Sequence, residues 1–185
     1  MSRKRKAERK IDRRSAIVYW LVPAAPSREF FRALIADLAA RNDAPRFEPH
    51  LTLGLSSSGD DDGSKTFARL SAKTIELRAR GVDFSARFTR TLFVRFDSRS
   101  ELVALRASLG ARADEIDPHV SLLYKKLPMK RKTQLASSIT LPFSTVTFDT
   151  VQIVRCSLPV RTRCDVESWQ TLGSQALDAG RDLKR

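Results

Sequence analysis

The sequence predicts an α+β domain built around an antiparallel sheet, because strand-like and helical segments alternate and several strand-like segments follow one another as hairpins. Hydrophobic residues make up 42% of the 185 residues and aromatic residues 8%, which is typical of a globular chain with a buried core. No apolar run approaches the roughly 20 residues that a membrane span needs. We therefore expect one domain over residues 15–178, with no membrane contact.

The first elements are predicted to be a strand, a helix and a strand. Residues 16–22 are apolar and end at Pro23, which favours a buried strand over a secretory signal. Ser27 is a plausible N-cap for the helix that follows. Residues 50–55 alternate in polarity as a short strand does. The apolar side chains of the helix recur at helical spacing: Phe30, Phe31, Leu34, Ile35 and Leu38.

A loop is expected next, at residues 56–63 (Ser-Ser-Ser-Gly-Asp-Asp-Asp-Gly). Three consecutive carboxylates in such a loop favour a solvated tip over a metal site. The remaining elements are expected in this order: a helix at 65–77, strands at 82–88 and 91–96, a helix from Ser98 or Ser100, a strand at 119–124, a helix at 129–138, a hairpin at 143–148 and 151–156, and a closing strand or helix at 169–177 with Trp169 in the core.

The formal net charge is +13, and nearly half of this excess lies at the N-terminus. Residues 1–14 contain eight Lys and Arg residues against only Glu8 and Asp12. We expect this segment to be a disordered tail, either solubilising or in contact with RNA. Residues 179–185 are expected to form a C-terminal tail. The body is also basic, which suits an anionic substrate.

The two cysteines, Cys156 and Cys164, do not form a disulfide framework. Pro159 lies between them, so a hairpin would bring them together, and whether they ever bond stays open. Free thiols are the default expectation for a cytoplasmic protein. No spacing resembles a zinc site. We therefore expect a cytoplasmic monomer that uses neither a metal nor an organic cofactor.

The chain has only two histidines, and both lie in the same pentapeptide. Residues 49–53 read Pro-His-Leu-Thr-Leu, and residues 118–122 read Pro-His-Val-Ser-Leu. Such a match indicates a weak internal repeat anchored on the histidines. Because side chains alternate along a strand, His50 and Thr52 would share one face, and so would His119 and Ser121.

Two imidazoles and two hydroxyls across a cleft are what the opening of a phosphodiester needs. A neutral imidazole takes a proton from water while an imidazolium protonates the departing oxygen. An ordinary histidine pKa near 6.5 allows both forms near neutral pH. The hydroxyls would donate to the phosphate oxygens. The competing interpretation, two histidines that merely complete a core, explains the matched settings less well.

These units resemble the His-apolar-Thr/Ser-apolar (HxTx) motifs of the two-histidine phosphoesterase superfamily, which includes 2′-5′ RNA ligase-like proteins. Residues 47–53 and 118–124 resemble the two motifs of its plant and fungal cyclic phosphodiesterase branch, and residues 18–23 resemble the first strand of that branch. The likeness runs from about Ala16 to Leu177, and only the histidine motifs are specific. The second motif carries Ser in place of Thr, which the family accepts.

The resemblance implies a bilobal fold, with two pseudo-symmetric α+β lobes around a central cleft. It implies that His50 and His119 are the catalytic acid and base, in an order left open, and that Thr52 and Ser121 bind the phosphate. The implied substrate is a nucleoside 2′,3′-cyclic phosphate or ADP-ribose 1″,2″-cyclic phosphate.

Two aromatic residues are candidates for holding the base or ribose of the substrate. Trp20 matches a tryptophan of the resembling branch, and the alternative for it is core packing. Tyr124 has the opposite strand parity to His119, so it reaches the cleft only if the strand ends at Leu123. Base stacking on such a ring contributes about 1–3 kcal/mol.

Two other functions stay open. The protein would process RNA ends if its basic tail holds the polymer, or it would be an RNA-binding module without turnover. The intact histidine units argue against the second of these.

Overall fold

The computed structural model describes residues 14–56, 67–111 and 117–179. The predictions for the basic N-terminal tail, the acidic loop and the C-terminal tail fall almost entirely outside these ranges, and they stay predictions.

Seven strands and four α-helices have defined bounds within the described residues. The strands are β1 (Arg14–Pro23), β2 (Leu51–Leu55), β3 (Ile75–Phe84), β4 (Leu92–Phe96), β5 (His119–Leu123), β6 (Thr145–Leu158) and β7 (Gln170–Ala176). The helices are α1 (Ser27–Asn42), α2 (Ser100–Ser108), α3 (Met129–Ser138) and α4 (Arg163–Glu167), with a 3₁₀ turn at Phe88–Arg90.

The strands form one antiparallel sheet in the order β1-β2-β5-β4-β3-β6-β7, and β6 also pairs with β1. Two joins are short. β2 meets β5 at the single pair Leu51–Val120, and β3 meets β6 over only four residues. These joins divide the sheet into one lobe of β2, β1, β6 and β7 and another of β5, β4 and β3 with the start of β6. The bilobal α+β fold that the sequence predicts is confirmed.

The internal repeat is visible in the order of the elements. One lobe contains β1-α1-β2 and the other contains β4-α2-β5, and the second strand of each unit carries a histidine motif. Leu51 and Leu53 are almost completely buried, as are Val120 and Leu122 on the other strand. The motif strands therefore have the apolar back that their alternation predicts.

The helix predicted at residues 65–77 is wrong over most of its described length, where only residues 67–68 are helical. Ile75 and Leu77 are buried while Glu76 and Arg78 are exposed, which is the period of a strand, and β3 begins at Ile75. The hairpin predicted at 143–156 is also wrong, because β6 is one continuous strand. It must be long because its first residues pair with β3 and the rest lies between β1 and β7.

Helix α1 starts where the sequence predicts, but Ser27 is not its N-cap. Pro26 occupies that position without a side-chain cap, and Ser27 is already helical and buried. The apolar face of α1 packs into the core as predicted, through Phe31, Ile35 and Leu38. The closing segment is a strand, β7. Among the described residues, no helix is both long enough and apolar enough to cross a membrane.

Candidate active site

The two histidine units lie on neighbouring antiparallel strands, at the join between the lobes. Leu51 pairs with Val120. Continued by one residue in each direction, this register sets His50 opposite Ser121 and Thr52 opposite His119. Residues directly opposite each other point to the same face of a sheet. Each histidine therefore has the hydroxyl of the other unit as its cross-strand neighbour.

The four side chains form a deep row and an outer row. His50 is only 5% exposed and Ser121 only 4%. Thr52 is exposed and His119 is half-buried. Although the two motifs are nearly identical in sequence, the fold thus places one histidine inside and the other near the surface.

Both imidazoles are held in the same way. The Nδ1 atom of His50 lies 2.7 Å from the carbonyl oxygen of Glu48, and that of His119 lies 2.7 Å from the carbonyl oxygen of Asp117. A carbonyl oxygen only accepts hydrogen bonds, so Nδ1 carries the proton in each ring. The Nε2 atoms are then the nitrogens left for proton exchange with a ligand.

His50 sits in an aromatic enclosure. Its ring stacks on Trp20, with centroids 3.7 Å apart and an interplanar angle of 9°. Trp169 contacts both rings edge-on. Burial above all, and the nearby His119 to a smaller extent, lower the pKa of His50 to about 4, against the effect of the Glu48 carbonyl. His50 is therefore neutral in the free protein at neutral pH.

The surroundings of His119 are different, because they include the charged side chains of Arg90, Arg95 and Asp117. Its ring meets Phe93 edge-on with centroids 5.3 Å apart, and the guanidinium groups of Arg90 and Arg95 lie over the Phe93 ring. Burial lowers the pKa of His119 first of all. Arg90 and Arg95 lower it as well, whereas Asp117 raises it.

A cleft of about 620 Å³ opens beside these rings. Of the predicted site residues, Trp20, His50, Thr52 and Tyr124 line it, whereas His119 and Ser121 are not among its lining residues. Its other walls are mostly apolar, and they include Val18, Leu55, Leu158, Pro159 and Val160. Such a volume matches sites for small ligands.

Tyr124 reaches the cleft because β5 ends one residue earlier, at Leu123. Its ring is buried and stacks on Phe47, with centroids 4.1 Å apart. Burial raises the pKa of the Tyr124 phenol far above its usual value.

The hydroxyl of Ser121 already has a hydrogen-bond acceptor within the protein. It donates to the carbonyl oxygen of Thr89 at 2.8 Å. To donate to a ligand, Ser121 would have to give up this bond.

Three residues at the site escaped the sequence analysis. Trp169, predicted to be in the core, packs on Trp20 but is half-exposed and lines the cleft. It comes there because it lies between α4 and β7, and β7 pairs with β6, the neighbour of β1. Thr89 lines the cleft as well, and Phe47 packs against the His50 ring. Of these three, only Phe47 stood within a sequence signal, as the first residue of the segment 47–53 that resembles the first motif, and no role was predicted for it.

No group of three His, Cys, Asp or Glu side chains within the described ranges is arranged to hold a metal ion. Cys156 and Cys164 are both free thiols. Cys156 is buried at the cleft wall, and burial raises its pKa to about 12, so it is a neutral thiol there.

The chain matches no protein-family model and no curated protein. Solved structures do match it. Escherichia coli LigT in its apo form shares 17% identity, with a TM-score of 0.52 over 89% of this chain and 98% of LigT. LigT complexed with 3′-AMP has 16% identity and a TM-score of 0.54, over 88% of this chain and 98% of that one. TT0787 of Thermus thermophilus has 12% identity and a TM-score of 0.56, over 89% and 99%. The chain therefore has the fold of LigT and TT0787, as the resemblance of its paired motifs predicts.

Proposed function

We propose that the protein is a phosphodiesterase that hydrolyses a cyclic phosphate on a nucleotide, with His50 and His119 as acid and base and without a metal ion. The observation that carries this proposal is the paired arrangement of the two units. Both imidazoles donate from Nδ1 to a carbonyl, which leaves two Nε2 atoms on one face of two neighbouring strands.

In the proposed reaction, one Nε2 accepts a proton from water, and the water oxygen forms a bond to phosphorus. The bond between phosphorus and one ribose oxygen breaks, and the other imidazole gives that oxygen its proton. On a nucleoside 2′,3′-cyclic phosphate, cleavage at O3′ leaves the 2′-phosphate. Both imidazoles have lowered pKa values in the free protein. The negative charge of the bound phosphate favours the protonated form of one of them.

The two hydroxyls are proposed to hold the phosphate. Thr52 is exposed at the cleft and needs no rearrangement to donate. Ser121 would exchange its bond to the Thr89 carbonyl for one to a phosphate oxygen as negative charge develops there.

The rest of the substrate is proposed to lie along the aromatic wall of the cleft. Tyr124 and Trp169 line this wall, while one face of Trp20 is taken by His50 and one face of Tyr124 by Phe47. A planar base stacks on such rings, and the cleft volume suits one nucleotide. LigT, which shares the fold, has been crystallised with 3′-AMP and with ATP. These observations support a nucleotide, with nucleoside 2′,3′-cyclic phosphates and ADP-ribose 1″,2″-cyclic phosphate as the first candidates.

The test is hydrolysis of both candidate substrates in excess chelator between pH 5 and 9, with His50→Ala and His119→Ala beside the parent. We expect turnover in the parent and a loss of about 10²–10⁴-fold in either variant. Asp97→Asn is a matched control, since Asp97 forms an exposed ion pair with Arg80 away from the cleft. Turnover that survives in either alanine variant, or none in the parent on either substrate, would overturn the proposal.

A second candidate substrate is an RNA end that carries the same cyclic phosphate. Lys132 Nζ of helix α3 donates to the Ser85 carbonyl at 2.8 Å, and the Ser85 hydroxyl donates to the carbonyl of Arg90, so helix α3 and the turn Phe88–Arg90 are tied together through Ser85. Exposed cations lie on this surface without an ion pair to any described residue: Arg87, Lys126, Lys130 and Arg131. Phosphate contacts make RNA turnover fall with salt.

We therefore compare salt dependence on an oligonucleotide and on a mononucleotide. A steeper fall for the oligonucleotide, reduced by deleting residues 1–14 or by Lys130→Ala, favours RNA. Equal salt dependence favours the small substrate.

A further inference from the structure

The two histidine units have a longer repeat than their pentapeptides. An acidic residue stands two positions before each histidine, Glu48 in one and Asp117 in the other. Its carbonyl oxygen accepts from Nδ1 of the histidine. Its carboxylate is in turn bound by arginine. The same chain of contacts, from arginine to carboxylate to carbonyl to imidazole, therefore occurs twice.

The two chains of contacts differ in burial and in number of partners. Arg32 binds Glu48 through two bonds, of 2.9 and 2.7 Å, but half of the Arg32 side chain is exposed. Asp117 is held between two arginines, with Arg90 at 2.5 Å and Arg95 at 2.8 Å. The Arg90 side chain is only 16% exposed, whereas that of Arg95 is 41% exposed and also binds Asp83 at 2.9 Å. Surface ion pairs contribute little, whereas a less exposed double clamp constrains its partner more.

The histidines also differ in what else fixes them. His50 stacks face-to-face on Trp20 inside an aromatic enclosure. Among the described residues, the one aromatic ring that contacts His119 is that of Phe93, edge-on. The orientation of His119 therefore depends more on the carbonyl of Asp117. The carboxylate and this carbonyl belong to the same residue, so the two arginines that hold the carboxylate also restrain the carbonyl. Pro118, the next residue, restricts the backbone of Asp117 further.

We propose that Asp117, clamped by Arg90 and Arg95, is a positioning residue that fixes the tautomer of His119 and balances the charge around it. Its effect on turnover rests on the proposed function, but its effect on His119 does not. The charged groups that face His119 are Asp117 on its own segment, Arg90 from the 3₁₀ turn and Arg95 from β4, with His50 across the strand pair.

The signs of the charge effects provide a sharp test. Asp117→Asn removes the negative charge next to His119 and leaves Arg90 without its carboxylate partner and Arg95 paired only with Asp83, so the pKa of His119 should fall. Arg90→Gln removes a positive charge, so the pKa of His119 should rise. Mere loosening of the site would let water in and move this pKa upward in both variants, because burial is the main cause of its depression.

The measurement is a ¹⁵N NMR titration of the imidazoles in the full chain, where two histidines give two easily assigned sets of signals. We expect opposite pKa shifts in the two variants and a loss of the Nδ1–H tautomer of His119 in Asp117→Asn. On an active substrate, kcat/KM should fall about tenfold or more, since small misplacement of a catalytic group is costly. Asp117→Glu should restore part of it, and Asp97→Asn should move neither quantity.

Upward pKa shifts in both variants, or an unchanged tautomer in Asp117→Asn, would overturn the positioning role. If the two variants show opposite pKa shifts but the parent hydrolyses no cyclic phosphate, the positioning role is supported and the proposed function is overturned.

Discussion

The two halves of the site begin from nearly the same pentapeptide and end in different surroundings. His50 is enclosed by Trp20, Trp169 and Phe47, without a charged side chain stacked against it. His119 lies next to a cluster of two arginines and a carboxylate. The lesson is that a repeat in sequence places the same carbonyl acceptor beside both rings, whereas the fold decides how each ring is held and charged.

The stacking of Trp20 on His50 is the contact whose loss should have the largest effect. Trp20→Ala should lower the free energy of unfolding by about 3–5 kcal/mol, because the indole is buried. The pKa of His50 should rise toward 6.5 as water enters. Denaturant unfolding and NMR titration measure the two effects. Trp169→Ala, at a half-exposed position, should cost less, and an unchanged His50 pKa in Trp20→Ala would contradict the enclosure.

The two histidines should also contribute differently to the pH dependence of the free energy of unfolding. The pKa of His50 is about 4 in the folded protein and near 6.5 when unfolded, so the unfolded state binds more protons between these values. The contribution of His50 to stability is complete above pH 6.5 and is lost as pH falls toward 4. One such group gives a slope of at most about 1.4 kcal/mol per pH unit. His50→Gln should flatten this slope more than His119→Gln, as measured by urea unfolding at each pH.

Removing the hydroxyl of Ser121 and removing that of Thr52 should have different, smaller effects on the free energy of unfolding. Ser121→Ala leaves the carbonyl of Thr89 without its hydrogen bond inside the protein, which should lower the free energy of unfolding by about 1–2 kcal/mol. Thr52→Ala, at an exposed position, should leave stability unchanged within about 0.5 kcal/mol. Thermal unfolding of both variants decides this. Equal destabilisation by the two would mean that the deep and outer rows do not exist.

The smallest expected effect is that of Glu48→Gln. The ion pair with Arg32 is half-exposed, so its loss should change the free energy of unfolding by less than about 1 kcal/mol. The tautomer of His50 should persist, because Trp20 still holds the ring. NMR of this variant beside Asp117→Asn compares the two clamps directly, and a tautomer change at His50 would make them equivalent.

Much of the architecture could be predicted from local patterns. The strand around residues 16–22, the helix from Ser27 and the two motif strands follow from polarity, and the bilobal fold followed from the resemblance of the motifs. The errors have a common cause. Ile75–Leu77 fits a strand or a helix in so short a segment, and β6 is one strand only because three neighbours pair along its length.

The candidate site divides in the same way. Its histidines and hydroxyls were found because a repeated pentapeptide is visible without any structure, and their catalytic roles stay proposals. Trp169 could not be placed, since a single tryptophan carries no local signal for the face it will occupy. The arginine clamps could not be seen either, because Arg90 and Arg95 are far from Asp117 in the chain.

The sequence by itself determined that His50 shares a strand face with Thr52, and His119 with Ser121. Alternation along a strand and the position of Pro and His are local properties. The tertiary structure alone decided that Leu51 pairs with Val120, the register that sets His50 opposite Ser121 and Thr52 opposite His119, because register depends on how two distant strands align. It also decided which histidine is enclosed by aromatic rings and which is bordered by charge. Burial and electrostatic fields arise from neighbours that only folding brings together.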